Sequence, residues 1–385
     1  MIVAGAGPVG SHMAGRLAEL GYSVAVFEEH KTIGEPVQCT GIIGRECIER
    51  YHIPYDVVLT ESKSAKFFSP SGKYLRLAKD AVQAYIVDRT AMDLFVAQKA
   101  QNAGAEYHLS SKITDVRKDD TKVVLNVESE GASTSFEARA LVIASGFGTK
   151  LPYGLGLGRF GDWIAGAQME VETSGVDEVE VYCSQSVAPG FFGWLVPTGN
   201  NSGLAGLFSR KSPRRHLYRF IKSLKSQGKI TATGKITSGG IPLKPLPKTY
   251  AQRVLVVGDA AGQVKPTTGG GVYYGFICAD IAVDVINKAF ESDHFSLKSF
   301  SLYQKAWKKD IGKELKIGYL ARRFYEKLSD RQIEMMFRML ESRGISEAML
   351  NSDQMRFDWH GGLLLKWLKY MGPWRHLFGW NRDKS

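Results

Sequence analysis

The chain has 385 residues, of which 44% are hydrophobic and 23% charged, ordinary values for a globular protein that exclude a disordered or fibrous chain. Its four cysteines are too few and too scattered for a disulfide scaffold, and no Cys-x-x-Cys pair indicates a zinc site. The formal net charge is +11, and residues 301–385 contribute +7 of it (17 Lys and Arg less 10 Asp and Glu), so we expect an anionic partner there.

No apolar run approaches the roughly 18 residues that indicate a transmembrane helix, and the first residues lack the pattern of a signal peptide. Together with the sparse cysteines, this predicts a reduced, cytoplasmic protein. The basic carboxyl-terminal quarter adds the expectation of peripheral contact with the cytoplasmic face of the membrane.

The first segment is predicted to run strand, glycine-rich turn, helix, strand, within the roughly 30 residues of a parallel βαβ crossover. Gly5, Gly7 and Gly10 have the spacing Gly-x-Gly-x-x-Gly, which permits a tight turn, approach to a pyrophosphate and close helix packing. Glu28 ends the next strand, 18 residues past Gly10, where an acid accepts hydrogen bonds from a ribose diol. The segment therefore predicts a dinucleotide-binding fold with the phosphates at a helix N-terminus.

The middle of the chain alternates between helical and strand-like patterns. A helix is predicted to begin near Asp88-Arg89, and the long central stretch is β-rich with one basic helix inside it. In chain order these elements are a helix over 90–103, a hairpin or meander over 112–127 and 133–140, a strand over 141–144, β-like alternation over 163–241, and the basic helix over 213–226.

A second glycine motif follows a buried strand late in the chain. An acid at a strand end can bind sugar-chain hydroxyls, and a glycine loop that opens a helix presents N–H groups to an anion. The alternative for the acid alone is an ordinary turn. Because this motif lies more than 240 residues from the first, the pair suits an elongated cofactor such as FAD better than NAD. Its candidate residues are Gly258, Asp259, Gly269, Gly270, Gly271 and Val272.

The two motifs resemble the FAD-binding half of the flavoprotein group that contains p-hydroxybenzoate hydroxylase. Asp88-Arg89 at a helix start fits the same group, in which an arginine at that place approaches the flavin or the pyrophosphate. A surface arginine is the alternative.

Three further stretches resemble the geranylgeranyl reductase family over roughly residues 1–300: Gly34-Glu35-Pro36-Val37-Gln38-Cys39-Thr40-Gly41, Pro189-Gly190-Phe191-Phe192-Gly193-Trp194-Leu195-Val196-Pro197, and Lys265-Pro266-Thr267-Thr268-Gly269-Gly270-Gly271. In that family a P-x-x-Y-x-W-x-F-P element lines the substrate cavity and a loop cysteine lies near the flavin. The resemblance implies FAD contacts at Val9, Glu28, Cys39, Thr40, Arg89, Val116, Asp259, Gly271 and Val272. It implies a substrate cavity lined by Pro189, Phe192, Trp194 and Pro197.

This sequence departs from the family pattern at two positions. Phe192 stands where the family has tyrosine, and Val196 stands where it has phenylalanine. Phe192 keeps an aromatic wall but removes a hydroxyl, which leaves the exact substrate open. Plain core packing is the alternative for Phe192 and Trp194.

The resemblance implies an FAD-dependent reductase that hydrogenates C=C bonds of geranylgeranyl groups in isoprenoid lipids or their diphosphate precursors. Reduced flavin delivers hydride to one carbon, and the other carbon needs a proton. Cys39 is the candidate catalytic residue, as proton donor or as a control on flavin position; a small packing cysteine is the alternative.

The electron donor stays open. Only one complete Gly-x-Gly-x-x-Gly lies between a strand and a helix, so the sequence predicts no separate NADPH domain. Transiently bound NADPH, a ferredoxin and a deazaflavin are the candidate electron donors. A monooxygenase or halogenase on the same scaffold is the competing function, although the halogenase element W-x-W-x-I-P is matched only in part at Phe192 and Val196. A nucleic-acid-binding protein ranks last, because no aromatic and basic RNA-binding motif is present, and no metal is expected.

The predicted fold class is α/β, with a Rossmann-like FAD domain, a β-rich substrate domain and a helical carboxyl-terminal region. The boundaries are an FAD domain at 1–160 with a small substrate-domain insertion near 56–84, a substrate domain at 161–248, a returning FAD segment at 249–298 and a basic helical domain at 299–385. Trp359 to Trp380 is rich in tryptophan and leucine with interleaved cations. It predicts either a helix on an anionic bilayer or a helix pair covering the substrate cavity.

Overall fold

The computed structural model describes residues 1–342 and 357–359, and the chain folds into two compact units. Each unit is assembled from three separate stretches of sequence. The first unit holds residues 1–37, 88–163 and 240–315, and the second holds residues 38–87, 164–239 and the described residues from 316 onward.

The strands are mostly short and are numbered here in chain order. They are β1 (Ile2–Ala4), β2 (Ala25–Phe27), β3 (Ile42–Gly44), β4 (Val58–Ser62), β5 (Ser64–Phe68), β6 (Tyr74–Ala78), β7 (Ala84–Val87), β8 (Glu106–His108), β9 (Ser111–Lys118), β10 (Val123–Ser129), β11 (Ala132–Ala138), β12 (Leu141–Ile143), β13 (Trp163–Thr173), β14 (Val179–Tyr182), β15 (Gly193–Gly199), β16 (Ser202–Ser209), β17 (Ile230–Pro242), β18 (Tyr250–Ala251) and β19 (Val254–Val256).

The α-helices are numbered in the same way. They are α1 (Pro8–Glu19), α2 (Arg45–Tyr51), α3 (Arg89–Asn102), α4 (Leu151–Gly154), α5 (Pro213–Ser226), α6 (Val272–Glu291), α7 (Leu297–Asp310), α8 (Gly312–Tyr325) and α9 (Asp330–Ser342).

The first unit is built on a six-stranded sheet in the order β18-β19-β12-β1-β2-β8. All its pairs are parallel except the edge pair β18–β19. Strands β1, β12 and β19 are apolar and buried at every residue, as expected of a parallel sheet covered on both faces. Helix α1 packs against α3 and α6, and the α3 N-terminus is capped by Asp88, whose carboxylate accepts the Ala91 N–H at 3.0 Å.

An antiparallel meander, β9-β10-β11, covers part of this unit, which confirms the predicted hairpin or meander. Val123, Leu125 and Val127 alternate along β10 and point into one apolar cluster with residues of β12 and β19. The meander and the parallel sheet therefore share one apolar core.

Helix α7 also belongs to the first unit, so the predicted start of a separate helical domain at residue 299 was wrong. The reason is a buried helix face: Tyr303 donates its hydroxyl to the Val256 carbonyl at 3.0 Å, and the Trp307 indole donates to the Thr249 hydroxyl at 3.0 Å. These contacts bind α7 to strands β18 and β19 rather than to α8 and α9.

The second unit contains a seven-stranded sheet in the order β17-β13-β16-β15-β14-β5-β6 and a three-stranded sheet in the order β3-β7-β4. The whole stretch 38–87 lies here, so the substrate-domain insertion is larger than the segment near 56–84 that the sequence predicts. Helix α5, whose bounds match the prediction, buries Leu217, Phe220, Ile221 and Leu224, and it packs against β16. In the described residues, no helix is both long and apolar enough to cross a bilayer.

Candidate functional site

The predicted cofactor residues of the first unit follow the carboxyl ends of its parallel strands. Gly5 comes directly after β1, Glu28 directly after β2, and Gly258 two residues after β19. Because these three strands run parallel in one sheet, with β12 between β1 and β19, the three positions lie at the same sheet edge. Ligands of open α/β sheets bind at this edge.

The first glycine turn is shaped so that side chains are excluded at two positions and space is left at the third. Gly5 has φ +105°, and a Cβ there would lie 2.7 Å from the Ala144 carbonyl oxygen. A Cβ on Gly10 would collide with the Gly5 carbonyl, whereas a Cβ on Gly7 would meet nothing within 4 Å. The open side of Gly7, at the N-cap of α1, is therefore where a phosphate group fits against backbone N–H groups.

Glu28 is held beside this turn by hydrogen bonds on both carboxylate oxygens. Oε2 accepts the Ala6 N–H at 2.8 Å, while Oε1 accepts the His30 N–H at 3.0 Å and lies 2.6 Å from His30 Nδ1. The side chain is 13% exposed. The carboxylate is thus fixed in orientation yet reachable, as binding of a ribose diol requires.

The second glycine turn lies against the first, as the sequence predicts. A Cβ on Gly258, which has φ +64°, would lie 3.4 Å from both methyl carbons of Val9, in the first turn of α1. A Cβ on Gly275, in the first turn of α6, would collide with the same side chain. His12 of α1 lies 2.7 Å from the Asp280 carboxylate of α6, which fixes the two helices further.

Asp259 faces the start of α6. A Cβ on Gly271, the residue that precedes α6, would collide with the Asp259 carboxylate, so a side chain there would have to displace this carboxylate. Asp259 as a whole is half-buried, but protein surrounds its carboxylate. This burial raises the pKa of Asp259 to about 6, although the positive charge of Arg89 acts in the opposite direction. Arg89 itself is held by Asp93, with Nη2 at 3.0 Å from each carboxylate oxygen.

The remaining cofactor candidates of this unit lie in the loop before α6, at the first residue of α6 and in β9. Gly269 has φ +78°, and a Cβ on Gly270 would lie 2.9 Å from Cε of the buried Lys265. Val272 is the first residue of α6, where free N–H groups favour an anion. Val116 is 9% exposed in β9 and belongs to the apolar cluster, and its contact with FAD stays a prediction.

These observations fit FAD. The gap beside Gly7 suits the pyrophosphate, the Glu28 carboxylate suits the adenosine ribose, and Asp259 before the α6 N-terminus suits the sugar chain next to the ring. The positive charge of Arg89 acts on Asp259 and partly offsets the rise in pKa that burial causes.

Cys39 and Thr40 lie in the second unit. Cys39 is a half-buried free thiol whose Sγ accepts the Gly41 N–H at 3.4 Å. The Thr40 hydroxyl donates to the Gln168 side-chain oxygen at 2.6 Å. A partly accessible thiol can take part in proton transfer, and the catalytic role of Cys39 stays a prediction.

The aromatic residues around Trp194 form a cluster on one face of the large sheet. The Trp194 ring lies 4.9 Å from the Phe208 ring and 6.2 Å from the Phe192 ring, measured between centroids. The indole covers Gly206, where a Cβ would collide with it, and its Nε1 donates to the Gln168 oxygen at 3.4 Å. Trp194 is 8% exposed and Phe192 is half-buried, so Phe192 is the more accessible aromatic surface.

Of the two flanking prolines, Pro197 lies on the other face of its strand, and the contacts of both prolines with a substrate stay predictions. Strand residues alternate between faces, so Pro197 of β15 lies on the face opposite Trp194, with Gly193. A Cβ on Gly193 would touch Phe220 of α5 at 3.1 Å, which identifies that face as the one under α5. Pro189 lies in the loop before β15 and is half-buried.

Gln168 is a residue that the sequence reasoning missed. It is buried in β13 at 7% exposure, and its oxygen accepts both the Thr40 hydroxyl and the Trp194 indole. The available sequence signal was a single amide within the otherwise apolar run 164–169, since a polar group buried in such a strand needs hydrogen-bond partners. Its partners, however, depend on strand register.

Within residues 1–342 and 357–359, no cluster of His, Cys, Asp and Glu has the arrangement of a metal site. The four cysteines are free thiols. The predicted amphipathic segment lies mostly outside the described residues, which include only Trp359 of it.

Comparisons with known proteins agree with this geometry. A family model described as pyridine nucleotide-disulphide oxidoreductase matches residues 1–170. The chain is 30% identical over 347 residues to the digeranylgeranylglycerophospholipid reductase of Methanocaldococcus jannaschii, covering 87% of this chain and 88% of the relative.

Among solved structures, a geranylgeranyl bacteriochlorophyll reductase-like protein from Thermoplasma acidophilum superposes with a TM-score of 0.85 at 23% identity, covering 97% of this chain and 96% of that chain. The flavin-dependent halogenase CmlS superposes with a TM-score of 0.70 at 17% identity, covering 97% of this chain and 77% of that chain. Both likenesses establish a common fold.

Proposed function

Since the chain belongs to the geranylgeranyl reductase family of FAD-dependent flavoproteins, we propose that it hydrogenates C=C bonds of geranylgeranyl groups in archaeal-type isoprenoid lipids or their diphosphate precursors. It is a flavin-dependent oxidoreductase with FAD as cofactor. The observation that supports the proposed substrate most directly is the aromatic cluster of Phe192, Trp194 and Phe208, which is tied through Gln168 to the loop of the candidate proton donor.

The residues of the first unit bind and orient the cofactor in this proposal. Glu28 accepts the ribose hydroxyls, the turn at Gly7 holds the pyrophosphate, and Asp259 with the α6 N-terminus holds the sugar chain and the ring end. Bound FAD, once reduced, supplies the hydride. The reduction itself requires an external electron donor, for which NADPH, a ferredoxin and a deazaflavin remain candidates.

The residues of the second unit bind the apolar chain and provide the proton. Phe192 and Trp194 offer flat apolar surface to a prenyl group and exclude water from it. The Cys39 thiol holds a proton at Sγ, and that proton goes to the carbon that does not receive hydride. One hydride and one proton together add two hydrogens across each double bond.

Phenylalanine at position 192 and valine at position 196 adapt this surface to a substrate without polar groups near the reacting bond. Phe192 presents no hydroxyl, so it cannot supply the proton, which leaves Cys39 as the candidate acid. Val196 is fully buried and contributes packing.

Helix α5 supports peripheral contact with an anionic bilayer. Its sequence has no acidic residue, and Arg215, Arg219, Lys222 and Lys225 are exposed on it. None of these four cations forms an ion pair with the described part of the chain. Each Lys or Arg near an anionic surface contributes about 1 kcal/mol of attraction. In this proposal the protein is cytoplasmic and contacts the membrane at its lipid substrate, with the predicted tail as a second contact.

Anaerobic turnover tests the proposed reaction against the monooxygenase and halogenase alternatives. The purified flavoprotein, reduced with dithionite, is incubated without oxygen with digeranylgeranylglycerophospholipid, and the lipids are analysed by mass spectrometry. We expect mass gains of two hydrogens per reduced bond, with a reduced rate in Cys39→Ala. Absence of any mass gain without oxygen, together with product formation in air, would support the oxygen-dependent alternatives instead.

A further inference from the structure

Gln168 accepts two hydrogen bonds on a single side-chain oxygen. The Thr40 hydroxyl donates to Oε1 at 2.6 Å and the Trp194 Nε1 donates to it at 3.4 Å. The residue is 7% exposed. The indole N–H can only donate, so the amide oxygen must face Trp194, and a flipped amide would leave that N–H without an acceptor. With the oxygen in this orientation, the Thr40 hydroxyl donates to the same atom.

The strand register of the second unit creates this arrangement. Gln168 of β13 pairs with Gly206 of β16, and Gly206 pairs with Trp194 of β15, so the three residues form one row across the sheet. The middle position is glycine, and any Cβ there would collide with the indole. The indole therefore crosses the intervening strand and reaches the amide.

The other partner, Thr40, is next to Cys39 in the chain. Cys39 lies in a loop between the unit boundary at 37 and β3, without strand pairing of its own. Its sulfur accepts the Gly41 N–H at 3.4 Å, which is a weak hydrogen bond. The 2.6 Å bond from Thr40 to Gln168 links this loop to the seven-stranded sheet. A 2.9 Å bond from the Val87 N–H to the Gly41 carbonyl holds the end of the loop to β7.

We propose that Gln168 is a positioning residue that fixes the Cys39 loop relative to the Trp194 indole. The catalytic consequence of this proposal rests on the proposed function. The Cys39 thiol must keep a fixed position relative to the aromatic surface that holds the prenyl chain, because a proton donor acts only within hydrogen-bond reach of its target. Gln168 touches neither of the reacting groups itself and acts through its two donors.

The first test measures the Cys39 thiol directly and needs no substrate. Full-length protein is treated with iodoacetamide, and alkylation of the Cys39 peptide is followed by mass spectrometry. We expect Gln168→Leu and Thr40→Val each to raise the alkylation rate about fivefold, the effect of losing one hydrogen bond that closes the loop. The double variant should be no faster than either single variant, because both remove the same bond.

Gln304→Leu is the matched control. The Gln304 side-chain oxygen accepts two hydrogen bonds from Thr249, in the first unit. The substitution therefore removes two hydrogen bonds, as Gln168→Leu does, but leaves the hydrogen bonds of the Cys39 loop unchanged. The Cys39 alkylation rate should be that of the wild type in this variant. Wild-type alkylation in Gln168→Leu, or additive effects in the double variant, would overturn the proposal.

The second test uses turnover. Gln168→Leu should lower kcat for the lipid about tenfold with KM changed less than twofold, because apolar binding surface is kept while the proton donor is displaced. Gln168→Glu, which keeps an acceptor oxygen, should restore slow Cys39 alkylation. If the wild type reduces no lipid, the proposed function fails, but the alkylation rates still decide the role of Gln168.

Discussion

Val9 occupies the space into which a side chain on Gly275 would project. A Cβ on Gly275 would collide with Val9 Cγ2, and Gly258 lies against the same valine with its Cβ position 3.4 Å from both methyl carbons. Val9 belongs to the helix that follows the first glycine turn, and Gly275 belongs to the helix that follows the second. The two halves of the predicted FAD site are therefore packed through one side chain.

This packing predicts that Gly275→Ala weakens FAD binding. The added methyl group must push α6 away from α1, and overpacking of this kind costs about 1–3 kcal/mol. We expect roughly a 10-fold or greater rise in the FAD dissociation constant, since 1.4 kcal/mol corresponds to a factor of ten. Titration of the cofactor-free protein with FAD, followed by flavin fluorescence, measures this constant.

Two further variants separate a specific collision from a general glycine effect. Val9→Ala combined with Gly275→Ala should recover most of the affinity, because the smaller side chain leaves room for the new methyl group. Gly312→Ala at the start of α8, where the nearest atom to a Cβ is Lys308 Cβ at 3.4 Å, should bind FAD as the wild type does. Unchanged affinity in Gly275→Ala would contradict the inferred packing.

Asp259 predicts a pH dependence of stability in the cofactor-free protein. Burial raises its pKa from 3.8 to about 6, so the folded protein holds this proton more tightly than the unfolded chain. The free energy of unfolding should therefore fall as the pH rises from about 4 to about 7, by at most about 3 kcal/mol.

Asp259→Asn provides the comparison, because the amide does not titrate. Urea unfolding at several pH values should give a difference between wild type and variant that changes by up to about 3 kcal/mol across this window, with the wild type relatively more stable at the acidic end. A difference that stays constant with pH would show that the carboxyl group titrates normally in the folded state.

Gly206 predicts a strict size limit beneath Trp194. The indole lies where a Cβ of residue 206 would be, so Gly206→Ala should displace the ring and break its hydrogen bond to Gln168. We expect a loss of about 1–3 kcal/mol in the free energy of unfolding. Urea unfolding measures this loss, and Trp194→Leu in the same chain should relieve it. Equal stability of Gly206→Ala and wild type would contradict the ring position.

The local elements of the fold were readable from sequence because their signals are local. The Gly5 turn with Pro8 in the following first turn predicts α1, Asp88 predicts the start of α3, and the proline and spaced apolar residues of 213–226 predict α5. Helix α6 continues to Glu291, because no glycine or proline interrupts its second half.

The assignment of segments to units was less predictable, because it depends on tertiary packing. Helix α7 has an ordinary amphipathic sequence, and only the buried bonds of Tyr303 and Trp307 place it in the first unit. Gln168 is a similar case: its partners at positions 40 and 194 are distant in the chain and meet through the β13-β16-β15 register. A cofactor motif can be predicted from sequence because one short segment carries its geometry. The hydrogen bonds of Gln168, by contrast, depend on the pairing of three strands.

Helix α5 predicts salt-dependent binding to anionic vesicles. Replacing Arg215, Arg219, Lys222 and Lys225 by Gln removes four exposed charges while leaving the buried face of the helix unchanged. Each charge contributes about 1 kcal/mol near an anionic surface, so we expect at least tenfold weaker co-sedimentation with phosphatidylglycerol vesicles at low salt. Wild-type binding should also fall as salt is added, since screening shortens the range of attraction.

A matched control distinguishes the α5 surface from net charge alone. Lys298, Lys305, Lys308 and Lys309 of α7 are also exposed, and their replacement by Gln lowers the net charge by the same amount. This control should keep most of the vesicle binding, because its charges lie on a different helix. Equal losses in both variants would show that the total charge of the protein, rather than the face of α5, attracts the bilayer. Undiminished binding of the α5 variant would leave the carboxyl-terminal tail as the membrane contact, which truncation after Asp358 tests directly.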